Sequence, residues 1–352
     1  MLKSLKLKNF TAFTVADFQF ASGLNVLVGE NGSGKTHLLK LAYTACYFSA
    51  QGSRESANYG PTKSYLQTAV AEKLNAVFKP DQLGRLAHRG SGGRQRCDVS
   101  CGFAQAKTHL TFSFNTSSKS EVAIGRLQIA GVDALPIYLP TRELLTIYPG
   151  FVSLYETTHL SFDETWRDTC ILLGAPLAKG PREKAIKKLL VPLEEAMGGA
   201  VELDNAGRFY LKSDQVRVEM HLVAEGLRKL ATIARLIATG SLVDKGVLFW
   251  DEPESNLNPK LIKLVARTIL NLCQGGIQVF IASHSLFLLR ELDILLQTAE
   301  YTSIPSRFFG LQRNGKAILV HQGESVDDIG TIDALSEELS QSDRYLSAGA
   351  AA

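Results

Sequence analysis

Leu2, Leu5 and Leu7 alternate with polar residues, the pattern of a half-buried strand, and a short apolar run follows at 24–28. The first 28 residues therefore predict two strands. A glycine-rich turn then opens a helix over 36–47, and the polar stretch 51–62, with its Gly and Pro, reads as a loop. Over 64–78 the apolar residues Leu66, Ala69, Val70, Leu74, Val77 and Phe78 fall on one helical side. Alternation at 97–103, 109–114 and 122–129 predicts a small antiparallel sheet, and 136–140 a short apolar strand. Residues 143–197 are mainly helical in pattern, broken by Gly198-Gly199, and a meander follows at 201–203, 209–212 and 216–222. The pattern then becomes helix (226–239), buried strand (246–250), amphipathic helix (259–273) and buried strand (278–282). Two apolar strands joined by a helix imply a parallel sheet. Residues 324–345 read as an acidic helix and 347–352 as a frayed end. The chain shows neither an internal repeat nor a sustained heptad array.

Composition narrows the class. The 352 residues carry 38 Lys+Arg against 35 Asp+Glu, and 45% are hydrophobic. This is ordinary globular usage, and a net charge of +3 does not by itself imply nucleic-acid binding. No apolar run reaches the ~18–20 residues that span a bilayer, and the first ten residues have no apolar core of a secretory signal. Five cysteines, an odd and sparse number, suggest reduced thiols in a cytoplasm.

Gly29-Glu-Asn-Gly-Ser-Gly-Lys-Thr36 fits G-x-x-x-x-G-K-[ST], between an apolar strand and a helix. Glycines let such a loop wrap phosphates closely, and its N–H groups and the helix N-terminus favour an anion. Gly29, Asn31, Gly32, Ser33, Gly34, Lys35 and Thr36 are the candidate nucleotide contacts. Lys35 would reach the β- and γ-phosphates, and the Thr36 hydroxyl would ligate Mg²⁺. Downstream, Val247-Leu-Phe-Trp-Asp-Glu252 is an apolar strand ending in two acids. Acids at the end of a buried strand are expensive without a partner. Asp251 is the candidate metal-holding carboxylate, and Glu252 the group that polarises a water against the γ-phosphate.

On these residues the chain resembles ATP-binding-cassette (ABC) type ATPases, in the branch of RecF, SMC-like and OLD-like proteins. Asp251-Glu-Pro-Glu-Ser-Asn-Leu-Asn-Pro259 is similar to that family's acidic segment and following loop. Ile281-Ala-Ser-His-Ser285 resembles its switch segment, with His284 placed to contact the γ-phosphate. Asn9-Phe-Thr-Ala-Phe13 and the run from Gly23 to Gly29 are typical of the same branch. The resemblance covers roughly 1–50 and 220–300. It implies an α/β fold: an ABC-type P-loop ATPase head with a mixed central sheet, a small antiparallel β subdomain and a helical lid. The expected division is an ATP-binding lobe over 1–135, a helical insertion over 136–200, a second lobe over 201–320 and an acidic tail over 321–352.

The family's serine-glycine signature, which binds the ATP held by a second subunit, corresponds to Val223-Ala-Glu-Gly-Leu-Arg-Lys-Leu230. Gly226 is kept; the usual serine is Ala224, and Glu225 brings a negative charge. Arg228 or Lys229 is placed to compensate. The family's metal-side glutamine has no evident counterpart, and Thr141 or Glu143 is its stand-in. Phe10 and Phe13 are read either as adenine contacts or as core. Arg85, His88, Arg89, Arg94 and Arg96 form a basic cluster, read as a solvated loop or as a phosphate-binding patch. Cys97 and Cys101 lack a second pair at zinc spacing.

The resemblance thus implies a cytoplasmic Mg²⁺-dependent ATPase whose two copies sandwich ATP, with Glu252 and His284 catalytic. It implies a homodimer, a nuclease or toxin effector and DNA as partners, and no membrane, in DNA maintenance or anti-phage defence. The alternative is an ATP-gated scaffold that binds a protein and has little affinity for DNA. A transporter subunit is disfavoured, because about 190 residues separate phosphate loop and signature.

Overall fold

The computed structural model describes residues 1–55, 62–88, 93–104, 109–128, 134–158, 160–243, 246–315, 317–330 and 333–350. The chain opens with β1 (Leu2–Phe10), β2 (Phe13–Gln19) and β3 (Leu24–Gly29), then α1 (Lys35–Glu55) and α2 (Lys63–Phe78). Next come β4 (Arg96–Phe103), β5 (His109–Asn115), β6 (Ala123–Gln128) and β7 (Ile137–Leu139). The helical section holds α3 (Tyr148–Thr157), α4 (Glu164–Leu173) and α5 (Glu183–Met197), followed by β8 (Ala200–Leu203), β9 (Phe209–Lys212) and β10 (Arg217–Glu219). The last part runs α6 (Glu225–Ala238), β11 (Gly246–Asp251), α7 (Pro259–Gln274), β12 (Ile277–Ser283) and α8 (Leu286–Leu296). It closes with β13 (Ser306–Asn314), β14 (Ala317–Gly323) and α9 (Asp333–Ala350).

The central sheet has the order β14-β13-β3-β12-β11-β7. Its pairings are parallel except β13 with β14. The inner strands read as continuous apolar runs because both sheet faces are covered, the rule for buried parallel strands. Leu27, Phe249, Phe280 and Phe309 face α1 and the N-terminal sheet. Val26, Trp250, Val279 and Ile281 face α6, α7 and α8. A second sheet, antiparallel and in the order β2-β1-β4-β5-β6, lies over α1. Gln278, fully buried on β12, ties the two sheets: its Nε2 donates to the carbonyls of Leu2 and Ala21, and its Oε1 accepts from the Leu2 N–H. A buried amide with these partners carries no desolvation penalty for an unmade bond. The mixed central sheet, the antiparallel unit and the helical section match the expected fold class.

Several details differ from the sequence reading, among them α1, which runs on to Glu55 into the stretch expected as a loop. Residues 13–19 form β2, a strand not anticipated; the hairpin pairs Phe10 with Phe13 across a two-residue turn in which Thr11 has φ +45°. Residues 306–323 form the β13–β14 hairpin, whose first strand completes the parallel set beside β3. The third meander strand is cut to Arg217–Glu219, a 3-10 turn taking residues 220–222. The acidic tail is not one helix: a capped 3-10 turn at Val326–Ile329 ends at Gly330, φ +73°, and α9 runs on through Ala350.

Candidate active site

Register places the site. Leu27 of β3 is level with Ala282 of β12, which is level with Asp251 of β11. The loop after β3, the acids after β11 and the switch segment after β12 therefore leave the sheet at one edge. Ligands bind outside the carboxyl ends of strands in open α/β sheets.

The loop 29–36 is built for close approach. A Cβ on Gly29 would sit 2.7 Å from the Ser33 hydroxyl and from the Leu311 carbonyl. Gly34, at φ +93°, lies against the Phe13 ring, so glycine is required there. Ser33 is buried and its hydroxyl has no partner among the described residues, whereas Glu30 and Asn31 are exposed. Lys35 is 7% exposed, and its ammonium donates to the carbonyls of Gly29 at 2.5 Å and Glu30 at 2.9 Å. Burial lowers its pKa from the ordinary lysine value, against the pull of Glu252 and Asp251.

Thr36 Oγ1 donates to Asp251 Oδ2 over 2.8 Å, and the buried Tyr138 hydroxyl donates to the same oxygen over 3.4 Å. Burial raises the Asp251 pKa, partly offset by the Thr36 hydrogen bond. A buried acid beside a threonine hydroxyl is a hard-oxygen donor set, the chemistry that suits Mg²⁺. Thr36 and Asp251 therefore fit the metal site expected of them.

Glu252 follows in the left-handed region, φ +47°, a cost of order 1–2 kcal/mol for a residue with a Cβ. It is held there from both ends of its backbone. Its N–H donates to the Ala282 carbonyl at 2.9 Å, and Lys229 Nζ donates to its carbonyl at 2.7 Å. Lys229 also donates to the carbonyl and hydroxyl of Ser255. The Glu252 carboxyl lies 3.5 Å from His284 Nδ1, and both side chains reach solvent. Lys35, Thr36, Asp251, Glu252 and His284, spread over 250 residues, thus meet at one edge.

Gly226 stands in the first turn of α6, where a Cβ would meet the Asn256 carbonyl at 2.8 Å. It packs against the turn that follows β11. Glu225 is exposed, and its carboxyl accepts from Asn256 Nδ2 at 2.9 Å. Arg228 pairs with Glu143 at 3.1 Å. Both Glu143 oxygens are engaged: Oε2 takes the N–H of Leu145 and Thr146, and Oε1 the Thr146 hydroxyl. Glu143 is thus engaged by its own loop and by Arg228. The Thr141 carbonyl accepts from Ser255. Phe10 and Phe13 are fully buried in aromatic pairs with Phe78 and Phe18, which makes them core. In the basic cluster, Arg85 pairs with Asp81, Arg96 with Asp98, and His88 bonds the Thr11 carbonyl; Arg89 lies outside the described residues.

All five cysteines are buried and free. Among the described residues no His/Cys/Asp/Glu group of three or more is suited to a metal, and no helix is long and apolar enough to cross a membrane. Sequence reasoning passed over Tyr138, Glu254 and Ser283. The signal for Tyr138 was a phenol inside an apolar strand, since a buried tyrosine hydroxyl needs a partner.

Known proteins share this architecture. An SMC head bound to the C-winged helix domain of ScpA superposes over 93% of this chain and 98% of its own, with a TM-score of 0.55 at 13% identity. An SMC head with an extended coiled coil, bound to the C-terminal domain of ScpA derived from Pyrococcus furiosus, does so over 92% and 96%, with a TM-score of 0.50 at 11% identity. These likenesses concern the fold. In sequence, the DNA replication and repair protein RecF of Agathobacter rectalis is 31% identical over 84 residues, 23% of each chain. RecF of Pediococcus pentosaceus is 50% identical over 42 residues, 12% of this chain and 11% of its own. The matched stretches thus span less than a quarter of these relatives. An AAA-domain model matches residues 4–131, and a second, described as "AAA domain, putative AbiEii toxin, Type IV TA system", matches residues 112–290. That second match takes in half of the chain, and the protein belongs to this AAA-domain family.

Proposed function

We propose that the chain binds ATP with magnesium at the carboxyl edge of the central sheet and hydrolyses it. The observation that supports this most directly is the 2.8 Å bond between Thr36 and Asp251. It unites the end of the phosphate loop with the acid of a distant strand on one hard-oxygen site. The backbone N–H groups of 29–36 and the Lys35 ammonium would hold the β- and γ-phosphates. Thr36 and Asp251 would hold the magnesium, which when bound neutralises phosphate charge. Glu252 takes a proton from water as its oxygen bonds to the γ-phosphorus, and the bond to ADP breaks. His284 faces the γ-phosphate beside Glu252.

In this reading hydrolysis gates the association of two copies, each offering its Gly226 segment to the other's phosphate loop. The service is DNA maintenance, in keeping with the relatives' description as replication and repair proteins. A second reading, an ATP-gated scaffold for a separate effector protein, is favoured by Ala224 and by the tie of Glu225 to Asn256. Both features weaken an ATP sandwich and suit a slow switch. ATP turnover with and without duplex DNA separates the two. Stimulation by DNA supports maintenance; a slow turnover indifferent to DNA supports the scaffold; no turnover at any magnesium concentration defeats both.

A further inference from the structure

The turn after β11 carries a second acid, Glu254, two residues beyond Glu252 and only 7% exposed. Its Oε1 accepts from the Ser283 hydroxyl at 2.6 Å, and the His284 N–H points at the same oxygen over 3.4 Å. Ser283, fully buried at the end of β12, accepts in turn from the Ser285 N–H at 3.0 Å. The switch segment is therefore fastened to one carboxyl group by Ser283 and the His284 N–H, and Ser285 is tied to it through the Ser283 hydroxyl. Glu254 Oε2 is buried with no hydrogen-bond partner among the described residues. Keeping such a group inside is costly, so its one engaged oxygen marks a position that matters.

Above this buried pair sits the solvent-reaching pair Glu252 and His284, 3.5 Å apart. Each exposed member is next to, or two residues from, a buried one. We infer that Glu254 and Ser283 are positioning residues that set the spacing between the Glu252 carboxyl and the His284 ring. This rests on the proposed roles of Glu252 and His284 and goes beyond them. Misplacement by about 1 Å at a reacting centre costs on the order of 10²-fold in rate, so a fastening of this kind acts on turnover and not on binding.

The test compares S283A, E254A and E254Q with wild type and E252Q, reading kcat, calorimetric ATP affinity and melting temperature. S283A deletes one hydroxyl oxygen. It is expected to lower kcat about 10-fold or more, with ATP affinity within about twofold, and to lower the melting temperature only by the few degrees that one lost buried hydrogen bond costs. E254Q keeps the accepting oxygen and is expected to restore most of the turnover that E254A loses. The double variant S283A/E254A should be no slower than E254A, because the two act as a unit. Wild-type kcat in S283A overturns the inference, as does a parallel fall of kcat, affinity and melting temperature in both S283A and E254Q. If E252Q is inactive while S283A is fully active, the fastening alone has failed. If E252Q turns over at the wild-type rate, the assignment of the base has failed and the inference falls with it.

Discussion

Thr36 and Asp251 are 215 positions apart in the chain and share a hydrogen bond of 2.8 Å. The first turn of α1 and the last residue of β11 are brought together by sheet register alone. Because Tyr138 donates to the same Oδ2, the Asp251 carboxyl is oriented from two sides. Asp251→Asn keeps the shape and removes the charge. It should leave nucleotide binding without metal intact and raise the magnesium concentration needed for tight binding by at least about tenfold, since a charge-assisted contact is worth roughly 1.5–3 kcal/mol. Titrating magnesium against a fluorescent ATP analogue checks this, and an unshifted midpoint would remove Asp251 from the metal site.

Lys35 is enclosed by the loop it belongs to, with its ammonium on the Gly29 and Glu30 carbonyls. Lys35→Ala removes the only lysine in the motif and should abolish measurable ATP binding. Micromolar affinity retained in calorimetry would contradict the role of the loop.

Glu252→Gln preserves the left-handed turn and its backbone contacts while removing the base. The expected result is ATP bound but not turned over, a loss of roughly 10²–10⁴-fold in kcat. Gel filtration of this variant with ATP also tests the gated association of two copies: a lasting shift to dimer is expected, and a monomer at saturating ATP counts against it.

The parallel core was legible because buried strands such as 246–250 and 278–282 are apolar without interruption, and glycines and acids mark their carboxyl ends. The strand at 13–19 was hidden by its own composition. Val15 and Asp17 face solvent while Phe13, Ala16 and Phe18 face the core, an irregular alternation in a run with few turn signals at its start. The signature segment was legible as a place and not as an arrangement. Nothing in Ala224-Glu-Gly226 tells that Glu225 would be held by Asn256, because that residue reaches back from a turn with φ +62°. Glu254 and Ser283 lay inside motifs already singled out. Their pairing depends on β11 and β12 being neighbours, which only the sheet order supplies.

Gly226 has a role readable without any nucleotide. A methyl group there would press on the Asn256 carbonyl at 2.8 Å and on Leu257 at 3.2 Å. Gly226→Ala should therefore destabilise the fold by about 1–3 kcal/mol, the usual range for overpacking. Denaturant unfolding measures it; an unchanged midpoint would mean that the turn yields freely to the added methyl group.

Lys229 gives a pH signature of its own. Burial is the main reason its pKa falls from 10.5 to about 8, and the nearby Glu254 and Glu252 only partly oppose it. The folded value is the lower one, so the penalty for enclosing the charge is fully present below about pH 8. Between there and 10.5 the unfolded chain binds more protons than the folded one, and this lysine makes stability rise with pH. Lys229→Met removes the titrating group and the donors to Glu252 and Ser255 together. At neutral pH the variant loses hydrogen bonds but is also spared the buried charge. The stability difference should then widen in favour of wild type as pH climbs from about 7.5 to about 10, by up to about 3 kcal/mol, since one pKa unit is 1.36 kcal/mol. Denaturant titrations of both proteins across that range supply the measurement. A difference that stays flat, or narrows with rising pH, would show that the ammonium keeps its proton in place, stabilised by the three oxygens of Glu252 and Ser255 more than it is penalised by burial.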